Sequence, residues 1–285
     1  MSQAIAPSET PNAWPSLRWS ALGTRDFAER AGSALLARSV AVLPVGATEQ
    51  HGPHLPLGVD AQITDGIVGR AIAQLEALPP AERAPALFLP TQAIGFSPEH
   101  ADFPGTLTLE PATIIALWSE IGASVARSGI RRLLIFNSHG GQVSVMDMVA
   151  RQLRRRHGML TYSSSWYQLP QPPHIEALFS AHEQRFGIHA GALETSVLLH
   201  LHPELVHTEQ ARVFASSSEE RARRYPILGN GKSAKMGWMM QDYNPEGAAG
   251  DARAASAEKG RLLVDNAATQ LVALLHEISA LPYGD

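Results

Sequence analysis

Four side chains of types that bind metal ions stand close together in the sequence: Glu49, His51, His54 and Asp60. Glu49 and His51 are two residues apart, so an extended backbone points both side chains to the same side. Asp60 falls where a helix is predicted to begin, a position that favours a carboxylate. Two carboxylates and an imidazole at a strand end can form half of a metal site. The alternative interpretation is a polar loop with incidental histidines.

A second candidate ligand, His139, directly follows the clearest buried-strand pattern in the chain, residues 132–136. Gly140 and Gly141 come next, and glycines let the backbone pass close to a metal or a substrate. The alternative is a histidine in an ordinary turn.

Glu194 and His189 form a third candidate group. Glu194 lies early in a predicted helix that is otherwise lined with apolar side chains, where a carboxylate needs a partner such as a metal or a histidine. His189 is five residues earlier, so the two side chains are not neighbours on one helix face. We place His189 in the preceding loop, pointing at the same cavity, as a candidate proton shuttle.

The loop over residues 95–106 is longer than a simple connection requires, and such loops are often functional. Its Glu99 and His100 are candidates for the wall of a substrate pocket, and a solvated turn is the alternative. The predicted substrate-binding residues are Ser97, Glu99, His100, Gly140 and Gly141.

The elements that would position these residues alternate between strands and helices. The predicted strands cover 39–45, 86–90, 132–136 and 160–164, and the predicted helices include 24–38, 61–78, 111–128, 175–185 and 252–281. This alternation indicates an α/β fold with a mainly parallel sheet covered by helices on both faces. Ligands bind such sheets at the carboxyl ends of the strands, where Glu49, His51 and His139 are predicted to converge.

The chain has 285 residues, enough for one large α/β domain, and it shows no repeat and no convincing linker. We therefore predict an amino-terminal arm over residues 1–20 and a single catalytic domain over residues 21–285.

Composition excludes several function classes. The net charge is −4 and no long block of like charge occurs, so nucleic acid is not an expected partner. The chain contains no cysteine, so any metal must be held by His, Asp and Glu, a donor set that suits Zn, Mn or Fe. No secretory signal and no apolar run long enough to cross a membrane is visible. We expect a cytoplasmic protein that does not bind membranes.

Four motifs together resemble the creatininase (creatinine amidohydrolase) family, in family order and over about residues 36–265. They are E-x-H-G-x-H-L-P-x-x-x-D from Glu49, S-x-E-H-x-x-F-P-G-T from Ser97, N-x-H-G-G from Asn137 and H-A-G-x-x-E-T-S from His189.

The resemblance implies a three-layer α-β-α sandwich, a homo-oligomer that is usually a hexamer, and a centre of two divalent ions, usually zinc or manganese. It assigns Glu49, His51, Asp60 and His139 as metal ligands, with Asp60 bridging the ions and a water between them as the nucleophile. It assigns to His189 the transfer of a proton toward the leaving nitrogen, and Glu194 matches the carboxylate of the same motif.

One position departs from creatininase proper, whose motif after the third strand is N-x-H-x-E-N, with a Glu that binds the second metal. Gly141 occupies that position, so the second ion lacks a ligand unless Glu194 supplies it. The motif N-x-H-G-G is more similar to other branches of the family: formamide deformylases, proteins that trim a peptide in redox-cofactor assembly, and enzymes that open an oxidised cyclitol ring.

The sequence thus predicts a metal-dependent amidohydrolase that cleaves a non-peptide C–N bond, in an amide, cyclic amide or formamide, of a small polar substrate. Three alternatives remain open. One is a mononuclear non-haem iron enzyme built on His51, Asp60 and His139. Another is a peptide-trimming member of the same family, and the third is a non-catalytic paralogue that keeps the site for structure.

Overall fold

A four-stranded parallel sheet forms the centre of the computed structural model, which describes residues 13–283. The strands are β1 (Val40–Val45), β2 (Ala86–Phe88), β3 (Arg132–Asn137) and β4 (Leu160–Ser165), in the spatial order β2-β1-β3-β4. Val45, Asn137 and Ser165 are register partners at the ends of β1, β3 and β4. Three strands therefore end at the same level, and the loops that follow them meet at one edge of the sheet.

Ten α-helices occur in the described part of the chain. They are α1 (Thr24–Glu29), α2 (Ala34–Arg38), α3 (Val59–Ala77), α4 (Pro111–Arg127), α5 (Val143–His157), α6 (Pro173–Glu176), α7 (Ala181–Phe186), α8 (Ala192–Leu201), α9 (Ser217–Arg224) and α10 (Ala257–Ala280). Two short antiparallel strands, β5 (Val213–Phe214) and β6 (Gly250–Asp251), form a separate ribbon. None of these helices is both long enough and apolar enough to span a bilayer.

Alternating side chains of β1 point to two different hydrophobic cores. Val40 and Val42 pack with α3, α8 and α10, whereas Ala41 and Leu43 pack with α4 and α5. Fully burying an aliphatic side chain of this size contributes roughly 1.5–3 kcal/mol. A strand that is apolar on both faces thus requires helices on both faces, which confirms the predicted three-layer α/β fold.

Two predicted helices have different limits in the structure. The helix expected over 24–38 is interrupted, because Gly32 adopts a left-handed backbone with φ of +71° and Ser33 then caps α2. The helix expected over 252–281 begins later, as α10, because the Ser256 side chain caps its first turn.

The described part of the predicted arm packs against the sheet. Trp14 is buried, and its indole Nε1 donates a hydrogen bond to Ser39 Oγ at 2.8 Å. The Leu17 carbonyl accepts a hydrogen bond from the backbone N–H of Phe88 in β2. Residues 1–12 lie outside the described part, and the division into an arm and one domain stays a prediction.

Candidate active site

The carboxyl edge of the sheet brings together four of the predicted metal ligands. Glu49 and His51 lie in the loop after β1, Asp60 lies in the first turn of α3, and His139 directly follows β3. All four side chains are at most 4% exposed. They meet because β1 and β3 end level with one another and both loops turn over the same edge.

The ligand atoms form two clusters that share Asp60. In the first cluster, His139 Nδ1 lies 3.2 Å from Glu49 Oε1 and 3.7 Å from Asp60 Oδ2. In the second, His51 Nε2 lies 4.0 Å from Glu194 Oε2 and 3.9 Å from the same Asp60 oxygen. Donor atoms that bind one zinc ion at roughly 2.1 Å lie roughly 3–4 Å from one another. The Asp60 carboxylate is therefore placed between two candidate ion positions.

His189 lies beside the second cluster, since its ring nitrogen is within 4.8 Å of the candidate ligand atoms of His51 and Glu194. Its Nε2 lies 2.8 Å from the backbone carbonyl of Gln50, and its Nδ1 lies 3.9 Å from Glu49 Oε1. A carbonyl oxygen accepts only from a protonated ring nitrogen, so this contact assigns the proton of a neutral His189 to Nε2. The Nδ1 lone pair then faces the centre.

Several buried atoms of the centre that could bind a metal ion lack hydrogen-bond partners. Within residues 13–283, both carboxylate oxygens of Glu49, His51 Nε2 and Asp60 Oδ2 are buried and make no hydrogen bond of acceptable geometry. Leaving a buried polar group unpaired costs roughly 1–3 kcal/mol, and more if it is charged. Oxygen and imidazole donors turned toward a common centre fit a divalent cation such as zinc, manganese or iron.

Without a cation, the close packing of these groups strongly perturbs their protonation. Burial raises the pKa of Asp60 well above its usual value, and the charge of Glu49 raises it further. Burial alone would also raise the pKa of Glu49, but the charge of His139 lowers it well below its usual range. Burial raises the pKa of Glu194 as well. The site holds more carboxylates than it can keep ionised, and a divalent cation would neutralise them.

Glu99 occupies the space that a side chain at position 141 would need. A Cβ placed on Gly141 would collide with Glu99 Oε1. The Glu99 carboxylate is 7% exposed, and its Oε1 lies 3.3 Å from His139 Nε2. Gly141 itself carries no carboxylate, and the carboxylate of Glu99 from the 95–106 loop lies in the adjoining space.

A cavity of about 680 Å³ opens onto this centre. Of the predicted substrate-binding residues, its lining includes Glu99, His100, Gly140 and Gly141. Ser97 lies elsewhere: it is fully buried, with its Oγ 3.4 Å from His139 Nε2. The aromatic residues that line the cavity are Trp166, Tyr167 and Trp238, and its wall also includes His189 and the candidate metal ligands Asp60, His139 and Glu194.

Glu183 is a residue of the site that sequence reasoning missed. It is buried, and its carboxylate accepts hydrogen bonds from the backbone N–H groups of Ala192 at 2.6 Å and Asp251 at 2.8 Å. It thereby ties the loop that carries His189 to the β5–β6 ribbon. The helix predicted over 175–185 is divided into α6 and α7, and Ser180 caps α7 just before Glu183. No spacing in the sequence links Glu183 to residues so far along the chain.

Gln50 and His54 also support the ligands. Gln50 Nε2 lies 2.7 Å from His100 Nδ1, and the other ring nitrogen of His100 lies 3.2 Å from Glu49 Oε1. His54 Nε2 lies 2.9 Å from Thr195 Oγ1 in α8, and the His54 ring stacks on Phe214. His54 therefore contacts α8 and β5, and Gln50 holds His100 against Glu49.

The fold and the site together define a class of protein: an α/β protein with buried carboxylates and imidazoles, suited to divalent cations, at the carboxyl edge of a parallel sheet. The chain belongs to the creatininase family, whose model, described as creatinine amidohydrolase, matches residues 26–275. This membership confirms the resemblance inferred from the four motifs.

Named relatives and solved structures support the same assignment. The chain is 33% identical to the mycofactocin precursor peptide peptidase of Mycobacterium ulcerans over 89% of this chain and 82% of that protein. It is 32% identical to the creatinine amidohydrolase of Pseudomonas putida over 60% of this chain and 67% of that protein. A crystal structure of creatinine amidohydrolase superposes with a TM-score of 0.72 at 23% identity, covering 94% of this chain and all of that one, which supports the fold.

Proposed function

We propose that this protein is a metal-dependent amidohydrolase that cleaves a non-peptide C–N bond in a small polar substrate. The observation that carries the proposal is the position of the Asp60 carboxylate, between two clusters of candidate metal-binding atoms, of which Glu49 Oε1, His51 Nε2 and Asp60 Oδ2 are buried without a hydrogen-bond partner. Glu49, Asp60 and His139 would hold one ion, and His51, Asp60 and Glu194 the other. Bound divalent ions lower the pKa of a coordinated water and polarise a carbonyl oxygen.

We assign the proton transfer to His189. Its Nδ1 faces the centre because its Nε2 is engaged by the Gln50 carbonyl. From there Nδ1 takes a proton from the attacking water and delivers it to the departing nitrogen, as a general base that becomes a general acid. Glu194 Oε2 accepts a hydrogen bond of 2.6 Å from the backbone N–H of Ala190, which holds that carboxylate beside His51.

The cavity walls favour a compact substrate with polar groups. Trp166, Tyr167 and Trp238 supply apolar surface that displaces water from the centre, while His100 and Glu99 supply polar contacts. A cavity of about 680 Å³ accommodates a small amide, a cyclic amide or a formamide.

A second candidate function, peptide trimming, is favoured by the comparisons. The similarity to the mycofactocin precursor peptide peptidase spans 89% of this chain, whereas that to creatinine amidohydrolase spans 60%. Gly141 also departs from the motif of creatininase proper. Both functions break a C–N bond of an amide, so the same residues serve either one.

The test is turnover by metal-reconstituted protein. Chelated protein, reloaded with zinc or manganese, would be offered creatinine, cyclic amides, N-formylated amines and short peptides, with products identified by mass spectrometry. We expect hydrolysis of at least one class, lost in Asp60→Asn and kept in His276→Gln, an exposed control on α10. Absence of turnover in all four classes, at near-stoichiometric metal content, would contradict the proposal, and turnover of peptides alone would favour the second function.

A further inference from the structure

A second cavity of about 860 Å³ adjoins the cavity of about 680 Å³ that opens onto the candidate metal ligands. The residues that line both cavities are Glu99, Gly140, Gly141, Ile188 and Trp238. The far wall of the second cavity is formed by α9 and the segment that follows it, residues 228–243. A substrate held at the centre can therefore extend past Glu99 and Trp238 into this second space.

The second cavity is lined by three cationic side chains, Arg185, Arg221 and Lys235. The guanidinium of Arg185 lies over the Phe186 ring at 4.9 Å, and that of Arg221 lies over the Tyr243 ring at 5.3 Å. The Nη2 of Arg185 also donates a hydrogen bond to the Gly229 carbonyl at 3.2 Å, and that of Arg221 donates one to Ser217 Oγ at 3.4 Å. These acceptors are neutral, so each guanidinium is restrained, keeps its charge and has further N–H groups that can bind an anion.

No carboxylate neutralises these cations within the described part of the chain. The acidic residues of neighbouring α9 have other partners, since Glu219 lies 3.1 Å from His182 and Glu220 lies 3.8 Å from Arg224. Glu99 is the one acidic residue in the described lining, and it lies at the junction with the first cavity. The far wall thus presents positive charge without a counter-ion.

Glu99 lies at the junction of the two cavities. The residue is 7% exposed, and its Oε1 lies 3.3 Å from His139 Nε2 without forming a hydrogen bond of acceptable geometry. A buried carboxylate oxygen without a well-aligned donor is costly, and an N–H group of a bound molecule at the junction would supply one. A molecule that extends from the first cavity into the second would therefore meet the candidate metal ligands first, then the Glu99 acceptor and then the cations.

We propose that the second cavity is a subsite for an anionic group, carboxylate or phosphate, carried on an extension of the substrate. The amide to be cleaved lies in the first cavity, and Glu99 accepts an N–H of the segment that crosses the junction. This inference rests on the proposed hydrolytic function and narrows its substrate class to amides with a distal anion. Charge-assisted hydrogen bonds to arginine are the contacts that would select such a molecule.

The test uses a matched series of amides of equal length that end in a carboxylate, a phosphate monoester or a neutral carboxamide. With metal-reconstituted protein, we expect kcat/KM for the better anionic member to exceed that for the neutral member by about tenfold or more. In a double variant, Arg185→Ala with Arg221→Ala, this ratio should fall toward one. Arg151→Ala, an exposed arginine on α5 that pairs with Asp147, is the control and should keep the ratio. The identity of the preferred member distinguishes carboxylate from phosphate.

Equal kcat/KM for charged and neutral members in the wild type would overturn the subsite, as would an equal loss for all members in the double variant. A change of oligomeric state in that variant without a change of preference would assign the cavity to a subunit interface instead. If no member is hydrolysed, calorimetric binding of the same compounds decides the subsite, while the turnover test over the four substrate classes decides the proposed function. Tighter binding of the anionic members, lost in the double variant, would support it, and binding without preference would contradict it.

Discussion

The Asp60 carboxylate lies between two groups of candidate metal ligands. Its Oδ2 is 3.7 Å from His139 Nδ1 on one side and 3.9 Å from His51 Nε2 on the other. The sequence motifs correctly singled out the residues that meet here, because their spacing follows strand ends. The motifs did not show that Glu99 fills the space above Gly141, since that contact joins two loops distant in sequence.

Gly141→Ala should destabilise the protein and weaken its metal binding. The new methyl group would collide with Glu99 Oε1, which lies against His139. Overpacking of this kind costs roughly 1–3 kcal/mol. Denaturant unfolding and metal titration measure both effects. Gly140→Ala is the matched control, because its methyl group would have only Tyr167 Oη nearby, at 3.7 Å. Equal effects of the two substitutions would show that the Glu99 side chain moves aside without a measurable cost.

His189→Asn should lower kcat by about 10²–10⁴-fold, the usual contribution of a general acid or base. Metal content should stay near that of the wild type, because the clusters keep Glu49, His51, Asp60, His139 and Glu194. Steady-state kinetics and elemental analysis measure the two quantities. Loss of metal together with activity would make His189 a ligand rather than a proton carrier.

At the scale of elements, the parallel sheet and its flanking helices were predictable because β1 and residues 133–136 of β3 are uniformly apolar. Helix limits were less predictable. Gly32 interrupts one predicted helix and Ser180 divides another, and both act through local backbone contacts that apolar periodicity does not reveal. The role of Glu183 also lay beyond prediction, because its partners Ala192 and Asp251 come from elements that pack together only in the folded chain.

Glu183→Gln should reduce kcat and stability while leaving metal content unchanged. An amide nitrogen cannot accept a hydrogen bond, so one of the N–H groups of Ala192 and Asp251 would lose its partner, at a cost of roughly 1–3 kcal/mol. The loop that carries His189 would then be less well positioned. Glu204→Gln, at an exposed position, is the control. Unchanged kcat in Glu183→Gln with a clear loss of stability would restrict Glu183 to a structural role.

His54 should make stability depend on pH. Burial lowers the pKa of His54 to about 4 in the folded protein, against about 6.5 in the unfolded chain. The unfolded state then binds more protons between these values, so stability falls as the pH falls from about 6.5 to about 4, by at most roughly 3 kcal/mol. His54→Gln should lose less stability over this window than His276→Gln, as urea unfolding at several pH values would show. Equal losses of stability in the two variants would show that His54 does not cause this pH dependence.

At the scale of the whole molecule, family membership and the three-layer fold were both inferred correctly from the sequence. The four motifs lie on separate loops, and the fold brings residues from each of them to one edge of the sheet. The expected homo-oligomer, with a hexamer as the form implied by the resemblance, stays a prediction about a surface that a single chain does not define. The walls of the two adjoining cavities combine motif residues with α7, α9 and the segment over 228–243, which carry no motif, so the sequence did not predict the second cavity.

The most direct test of the central claim is the metal content per chain of the wild type and of Glu194→Gln, with Glu204→Gln as the control. If Asp60 bridges two ions and Glu194 completes the second cluster, the wild type and the control should hold two ions per chain and Glu194→Gln one. Two ions in all three proteins would remove Glu194 from the ligands. One ion per chain in all three proteins would contradict the two-ion centre and would favour a mononuclear metal enzyme.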